Sequence, residues 1–270
     1  MDMTDWHEFR QALDLQLRVI KALIRREFIA MNGRQGAGFL MLFAEPIIII
    51  GFIMMIIVTR SGGRFGVGFP IYAFALSGWG IMWLVRYPIQ RTGPAIVANL
   101  SFLAHRQITV LDLAVSRCLL ILLAVLASLF VIVVIYATFL IEIRINDPGL
   151  IVLGLLFTLW YAFVSSVFAV GISTYTALGP KFAPLFSIFH VFTTGAMYMV
   201  EWLPVKWHTA ALLFPMINVT EMTRDGMFGD LAICHYDIKY TFIFMLFYTA
   251  FTFRFLAVKA RWGKINGSTG

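Results

Sequence analysis

An all-α membrane protein with six transmembrane helices follows from three features of this sequence. Of its 270 residues, 60% are apolar and only 13% are charged, against roughly 45–50% and 25% in an ordinary soluble domain. No soluble core of this size hides so much apolar surface, so hydrocarbon must cover it. Second, six stretches are each long enough to cross a bilayer as a helix, which takes about 20 mostly apolar residues. Third, the basic residues gather at alternate connections. With the amino terminus in the cytoplasm, fifteen of the 21 Lys and Arg fall on that side and six on the other, the asymmetry that orients membrane helices. An even number of crossings then predicts both termini in the cytoplasm. The net charge of +7 belongs to this pattern. The basic residues sit between apolar runs and form no single patch for nucleic acid.

The chain divides into a cytoplasmic amphipathic interface helix over 1–38, a six-helix domain over 39–258 and a cytoplasmic tail over 259–270. In the first segment Trp6, Phe9, Leu13, Leu17, Ile20, Ile24, Phe28 and Met31 recur every three or four residues, with Arg10, Asp14, Arg18, Lys21 and Arg25 between them. Such a helix lies in the membrane interface with its apolar face down. It serves either as a simple anchor or, through its polar face, also as a docking element for a cytoplasmic partner. No short apolar core with a small-residue cleavage site occurs there, so a removable signal peptide is not expected.

The crossings fall at 39–58, 69–87, 113–141, 150–172, 182–200 and 240–258. The second is short and ends at Arg86, and the last contains Arg254. A cytoplasmic connection over 88–108 joins the second crossing to the third. The connection over 201–239 fits neither a crossing nor a turn. Its apolar run from Ala210 to Val219 is about half of what a crossing needs, and Pro215 interrupts it. A pair of short re-entrant helices accounts for a connection of this length. Backbone broken at membrane depth has to be buried in protein or line a cavity. A cap lying flat on the surface is the alternative.

Several chemistries are missing from the sequence. There is no G-x-x-x-x-G-K-[ST], and the cluster Gly62, Gly63, Gly66 and Gly68 lacks the lysine of a phosphate cradle. His7, His105, His190, His208 and His235 show no zinc-site spacing, so no metal site is expected. Ser173 and His190 suggest an intramembrane hydrolase only weakly, because no G-x-S-x-G elbow is present. Cys118 and Cys234 form no C-x-x-C and are not expected to pair. The longest cytoplasmic piece, the 38-residue tail, is far below the roughly 100–150 residues of a typical domain. Any ATP hydrolysis is therefore expected in a separate chain.

Some residues inside the predicted crossings need an explanation. Glu45 sits about two turns into the first, beside Pro46. A carboxylate there is costly. It either supports a bend at the proline or pairs near the inner interface with a base such as Arg34. On the second crossing Tyr72, Trp79, Trp83 and Tyr87 follow steps of seven, four and four and share one face, with Arg86 beside them. Phe182, Phe186 and Phe189 do likewise on the fifth. Such rings pack against lipid or other helices, and they also offer a surface along which a sugar chain slides.

The segments Ile24-Arg25-Arg26-Glu27-Phe28, Gly33-Arg34 and Ala44-Glu45-Pro46 lead into Ser77-Gly78-Trp79, Ala98-Asn99-Leu100 and Leu111-Asp112. Leu203-Pro204, Pro215-Met216-Ile217-Asn218, Glu221 and Arg224 follow. Their order and spacing resemble the type 2 ABC exporter permeases of the polysaccharide class, and within it the capsular polysaccharide exporters of Gram-negative bacteria. Asn218 departs from that pattern, which has a histidine or similar residue there.

The resemblance implies a homodimer of six-helix subunits with two ATP-binding subunits beneath it, in the inner membrane. ATP and magnesium would bind those partners, and this chain would hold no cofactor. A lipid-linked polysaccharide would pass through a channel at the dimer interface, towards periplasmic and outer-membrane export components. The interface helix and the 88–108 loop would grip the ATPase. In that loop Arg91, Ile96, Leu100, Phe102 and Arg106 are the expected contacts, the apolar ones seating in a partner groove. Arg86, Arg91 and Arg106 also suit an anionic lipid or sugar acid, or act only as topology signals. An O-antigen or teichoic-acid-type glycan is an alternative cargo. A stand-alone secondary transporter is a more distant reading, since it would want intramembrane acids in paired halves and only Glu45 is available.

Overall fold

The computed structural model describes residues 3–32, 37–61, 71–98, 109–139, 145–176 and 179–266. Nine α-helices are formed by them: α1 (Met3–Asn32), α2 (Ala37–Ser61), α3 (Ile71–Ala98), α4 (Val110–Phe139), α5 (Pro148–Tyr175), α6 (Phe182–Thr193), α7 (His208–Leu212), α8 (Pro215–Phe228) and α9 (Ile238–Asn266). Short 3-10 turns punctuate the path from α6 to α9. The described residues are all-helical apart from turns and short extended links, and they contain no strand.

Three helical stretches, Val110–Thr138, Pro148–Tyr175 and Ile238–Lys259, are each long and apolar enough to cross a membrane. Phe43–Ile53 and Phe182–Thr193 are apolar but shorter. The fifth expected crossing, 182–200, is not one helix. α6 stops at Thr193 after 12 residues, about 18 Å of rise against a hydrocarbon core of about 30 Å. The chain turns at Thr194 and Gly195, where φ is +66°, a backbone state that glycine adopts without steric penalty. Hydropathy conceals this stop because Ala196, Met199 and Val200 beyond it are apolar and buried against protein. The second expected crossing differs in the other direction. α3 continues past Arg86, through Pro88 and Pro94, to Ala98, so Arg91 and Ile96 stand on this helix and not in a loop.

α3 is the centre of the bundle and packs against α2, α4, α5, α6 and α8. It runs parallel to α5: Ser166 donates to the Pro88 carbonyl at 3.1 Å, and Ser173 lies against Gly93. α9 runs the same way, with Tyr248 beside Tyr161 and Phe255 beside Phe168. α6 runs oppositely, since His190 meets Tyr161 while Phe182 meets Phe168.

α5 begins at a built cap. Asp147 accepts from the amides of Gly149 at 2.8 Å and Leu150 at 3.3 Å, with Pro148 in the first turn. α8 lies against this end of α5 and runs antiparallel to it. The Gly226 carbonyl accepts from the amides of Asn146 and Asp147 at 3.0 and 2.8 Å. Further along, Thr223 faces Gly154, and Met222 joins Phe157 in the core. A Cβ at Gly226 would come within 2.8 Å of the Asp147 carbonyl oxygen, so the contact requires glycine.

Outward from this core, α2, α4, α5, α6 and α9 present large apolar side chains, among them Phe52, Phe130, Leu156, Phe192 and Phe247. These are the faces that hydrocarbon would solvate.

Candidate functional site

At the end of the bundle where α1 lies, three polar links join helices that are far apart in sequence. Glu45 on α2 accepts from Arg91 Nη2 at 2.6 Å and from the Tyr87 hydroxyl at 2.5 Å, both on α3. Tyr87 and Arg91 are four residues apart and so share a helix face, and the Arg91 guanidinium lies 4.8 Å from the Tyr87 ring centroid. The side chains of Arg91 and Glu45 are 43% and 35% exposed. Their Coulomb gain is therefore screened, about 0–1 kcal/mol. Arg34, the partner expected for Glu45, lies outside the described residues. Pro46 is buried behind the carboxylate.

The second and third links fasten α1 to α4. Glu27, buried, is paired with Arg117, and Gln16 donates to Asp112. Asp112 is itself placed by a reciprocal cap at the start of α4. It accepts from the amide and hydroxyl of Thr109 at 2.9 and 2.8 Å, and its own amide donates to Thr109 Oγ1 at 3.2 Å.

The face α1 turns to the bundle is thus a different one from the apolar stripe expected to lie on the membrane. Leu23 and Glu27 are buried, whereas Leu17 and Phe28 stay exposed. Leu23 joins Ile96, Leu113 and Leu256 in one apolar cluster. Ile96 is accordingly buried inside the subunit in this conformation. Leu100, Phe102 and Arg106, expected with it as ATPase contacts, lie outside the described residues. Arg18, Lys21 and Arg25 are exposed along α1, while Arg26 is half-buried.

The aromatic stripe on α3 divides. Trp83 is 4% exposed and packs edge-on to the buried Tyr87, with centroids 5.1 Å apart. Trp79 is half-buried. Tyr72 stands on α3, but its side chain lies outside the described residues. Arg86 is half-buried, its guanidinium 5.9 Å from the Trp83 ring centroid. On α6, Phe182 and Phe186 stack at 5.2 Å and pack on Phe168, while Phe189 remains 49% exposed. Trp83 and Tyr87 are therefore internal packing in this conformation, while Trp79, like Phe182 and Phe186, is half-buried and Phe189 is exposed.

His190 is buried, 3.0 Å from the Tyr161 hydroxyl and 2.7 Å from the Phe186 carbonyl. Ser173 lies twelve residues beyond Tyr161 on α5, about 18 Å along the helix, so Ser173 and His190 form no dyad. Both cysteines are free.

At the other end of the bundle α7 and α8 form a helical pair. Pro215 opens α8 in its first turn. Asn218 ties the junction together, donating to the carbonyls of Leu212 at 2.7 Å and Phe214 at 3.2 Å while accepting from the Asp237 amide at 2.9 Å. Arg224 is 0% exposed. It donates to Tyr198 O at 2.6 Å, Glu221 Oε1 at 3.2 Å and Ala196 O at 3.3 Å, and it lies 4.1 Å from the Phe74 ring centroid. Glu221 and Arg224 are thus an internal clasp holding α8 to the end of α6 and the start of α3, closed to a passing ligand. The pair was visible in the sequence as a motif, but its depth was not.

No family model matches the chain. Capsule polysaccharide export inner-membrane protein BexB of Haemophilus influenzae is 32% identical to it over 246 residues, covering 89% of this chain and 90% of the relative. Capsule polysaccharide export inner-membrane protein CtrC of Neisseria meningitidis serogroup B is 32% identical over 259 residues, covering 92% and 94%.

Proposed function

From the premise that this chain belongs to the family of capsule polysaccharide export inner-membrane proteins, we propose that it is the permease subunit of an ATP-driven exporter. In this reading it forms a homodimer that moves a lipid-linked capsular polysaccharide across the inner membrane. Two separate ATP-binding subunits bind ATP and magnesium and do the hydrolysis, and periplasmic and outer-membrane components receive the polymer. The carrying observation is the relation to BexB and CtrC over about nine-tenths of both chains. An O-antigen or teichoic-acid-type cargo is not favoured by either relative's name.

The arrangement of the helices supports the finer reading. α1 keeps Arg18, Lys21 and Arg25 exposed while its other side is fastened to α4. That is the geometry needed by a helix that meets a cytoplasmic partner without leaving the bundle. Arg91 stands at the same end, where 99–108 would complete the ATPase contact. α2, α3 and the segment 182–200, of which α6 is the helical part, would complete six crossings with the three long apolar helices, both termini facing the cytoplasm. α7 and α8 are read as the re-entrant pair: α8 follows α5 from Asp147 to Phe157, about 15 Å of helix rise, with its first turn at the deep end. Its backbone is buried in protein, the condition for broken helices at membrane depth. Trp79 and Phe189, with Arg86 and Tyr72, are the proposed contacts for the polymer.

The test is co-purification with the ATPase encoded beside it, followed by reconstitution. The expected result is a stable complex that moves polymer only with ATP and is lost when 99–106 are replaced. Polymer movement driven by an ion gradient without any ATPase would overturn the proposal.

A further inference from the structure

One cluster of side chains has no place in the reading above. Glu201, in the turn after α6, His208, the first residue of α7, and His235, in the extended link before α9, each offer a ligand atom within 4.8 Å of the other two. Their separations in sequence, seven and twenty-seven residues, match no zinc motif, which is why spacing alone gives no hint of them. We propose that these three residues form a binding site for a transition-metal dication, with Zn²⁺ as the best fit.

The donor set is the first argument. Two imidazoles and one carboxylate are borderline ligands suited to zinc, and three protein ligands leave the fourth tetrahedral position to water or another oxygen. The geometry is the second. Zinc bonds of about 2.0–2.2 Å put neighbouring ligand atoms roughly 3.3 Å apart. That separation falls between the 2.7 Å of His235 Nε2 to Glu201 Oε2 and the 4.8 Å outer limit of the cluster. The rings of His208 and His235 have centroids 5.1 Å apart, close enough to turn towards one ion.

The surroundings are the third argument. His208 Nε2 donates to the Leu203 carbonyl at 2.9 Å, which fixes the tautomer that leaves a lone pair on Nδ1. A metal-binding histidine is commonly oriented by such a bond. The His235 amide donates to Glu221 at 3.3 Å, so this ligand hangs from the buried Glu221–Arg224 clasp. The side chains of Glu201 and His235 are 42% and 36% exposed, which leaves an entry path. An ion here would staple the exit of α6, the start of α7 and the approach to α9, adding to the His235–Glu201 contact and the His208 bond to the Leu203 carbonyl.

The experiment uses the full chain purified in detergent in a Cys234→Ser background, so that the neighbouring thiol takes no part. After chelation, Zn²⁺ is titrated while binding and unfolding temperature are followed, and Co²⁺ is used to read the coordination sphere from its visible absorption. The expected result is one saturable ion per chain, a higher unfolding temperature with Zn²⁺, and the strong bands of four-coordinate cobalt. His208→Ala and His235→Ala should each weaken binding by at least about tenfold, and Glu201→Gln, which keeps shape and folding, should do so too. Unsaturable binding overturns the proposal, and so does binding that is unchanged in the His208→Ala, His235→Ala double variant. Either outcome would leave the cluster as a plain His–Glu hydrogen bond. The transport reading is untouched by both.

Discussion

Trp79 and Trp83 are one helical turn apart on α3 and have the same chemistry, yet their surroundings assign them different consequences. Trp83 is buried in the main core, so Trp83→Ala removes a packed indole and should cost about 3–5 kcal/mol. Its unfolding temperature and its export should fall together. Trp79 is half-buried and packs against the edge of the same core, so Trp79→Ala should lower the unfolding temperature less than Trp83→Ala does, reduce polymer export severalfold and leave ATPase binding near that of the parent. Thermal unfolding in detergent, paired with a surface capsule assay, separates the two. Wild-type export by Trp79→Ala would remove the reason for placing sugar against that ring. Period alone put both rings on one face correctly; it could not tell which side of that face faces protein.

The same distinction recurs for whole elements. The existence of α1 and its amphipathic character were legible from spacing, but its docked face was not. The links that fix it join Gln16 to Asp112 and Glu27 to Arg117, across about ninety residues of chain, and no local pattern reports such pairs. Arg117→Ala would leave a buried carboxylate without its cation, which costs about 3–5 kcal/mol in a comparable buried pair. α1 should then loosen: trypsin should cut at Lys21 or Arg25 several times faster, and less ATPase should co-purify. Arg117→Lys should largely restore both. Unchanged cleavage in Arg117→Ala would mean that apolar contacts around Leu23 hold the helix unaided. α6 teaches the complementary lesson. Hydropathy averages over residues, so it ran straight through Thr194 and Gly195 into a segment that is apolar because it packs on protein. α7 and α8 were legible for the opposite reason, since Pro215 and the short apolar run both broke the pattern of a crossing.

For the whole molecule, the membrane class and the export family could be read from composition, charge asymmetry and scattered motifs, because these are spread over the entire chain. Sidedness is the property still open to a direct measurement. With Cys234→Ser as background and Cys118 buried, single cysteines at Thr4, Val205 and Ser268 report the two faces. A membrane-impermeant maleimide added to spheroplasts should modify the Val205 variant at once, and the other two only after permeabilisation. Prompt reaction at Ser268 in sealed cells would break the arrangement of six crossings. The pinning of α1 bears on how work would enter such a machine. A rod held at a single pivot swings freely, and a push on it is dissipated. Gln16 and Glu27 grip this one at two points about 16 Å apart along its axis, the arrangement of a crank. In the proposed exporter, torque applied to its exposed basic side would pass into α4, and through α4 to the centre of the bundle.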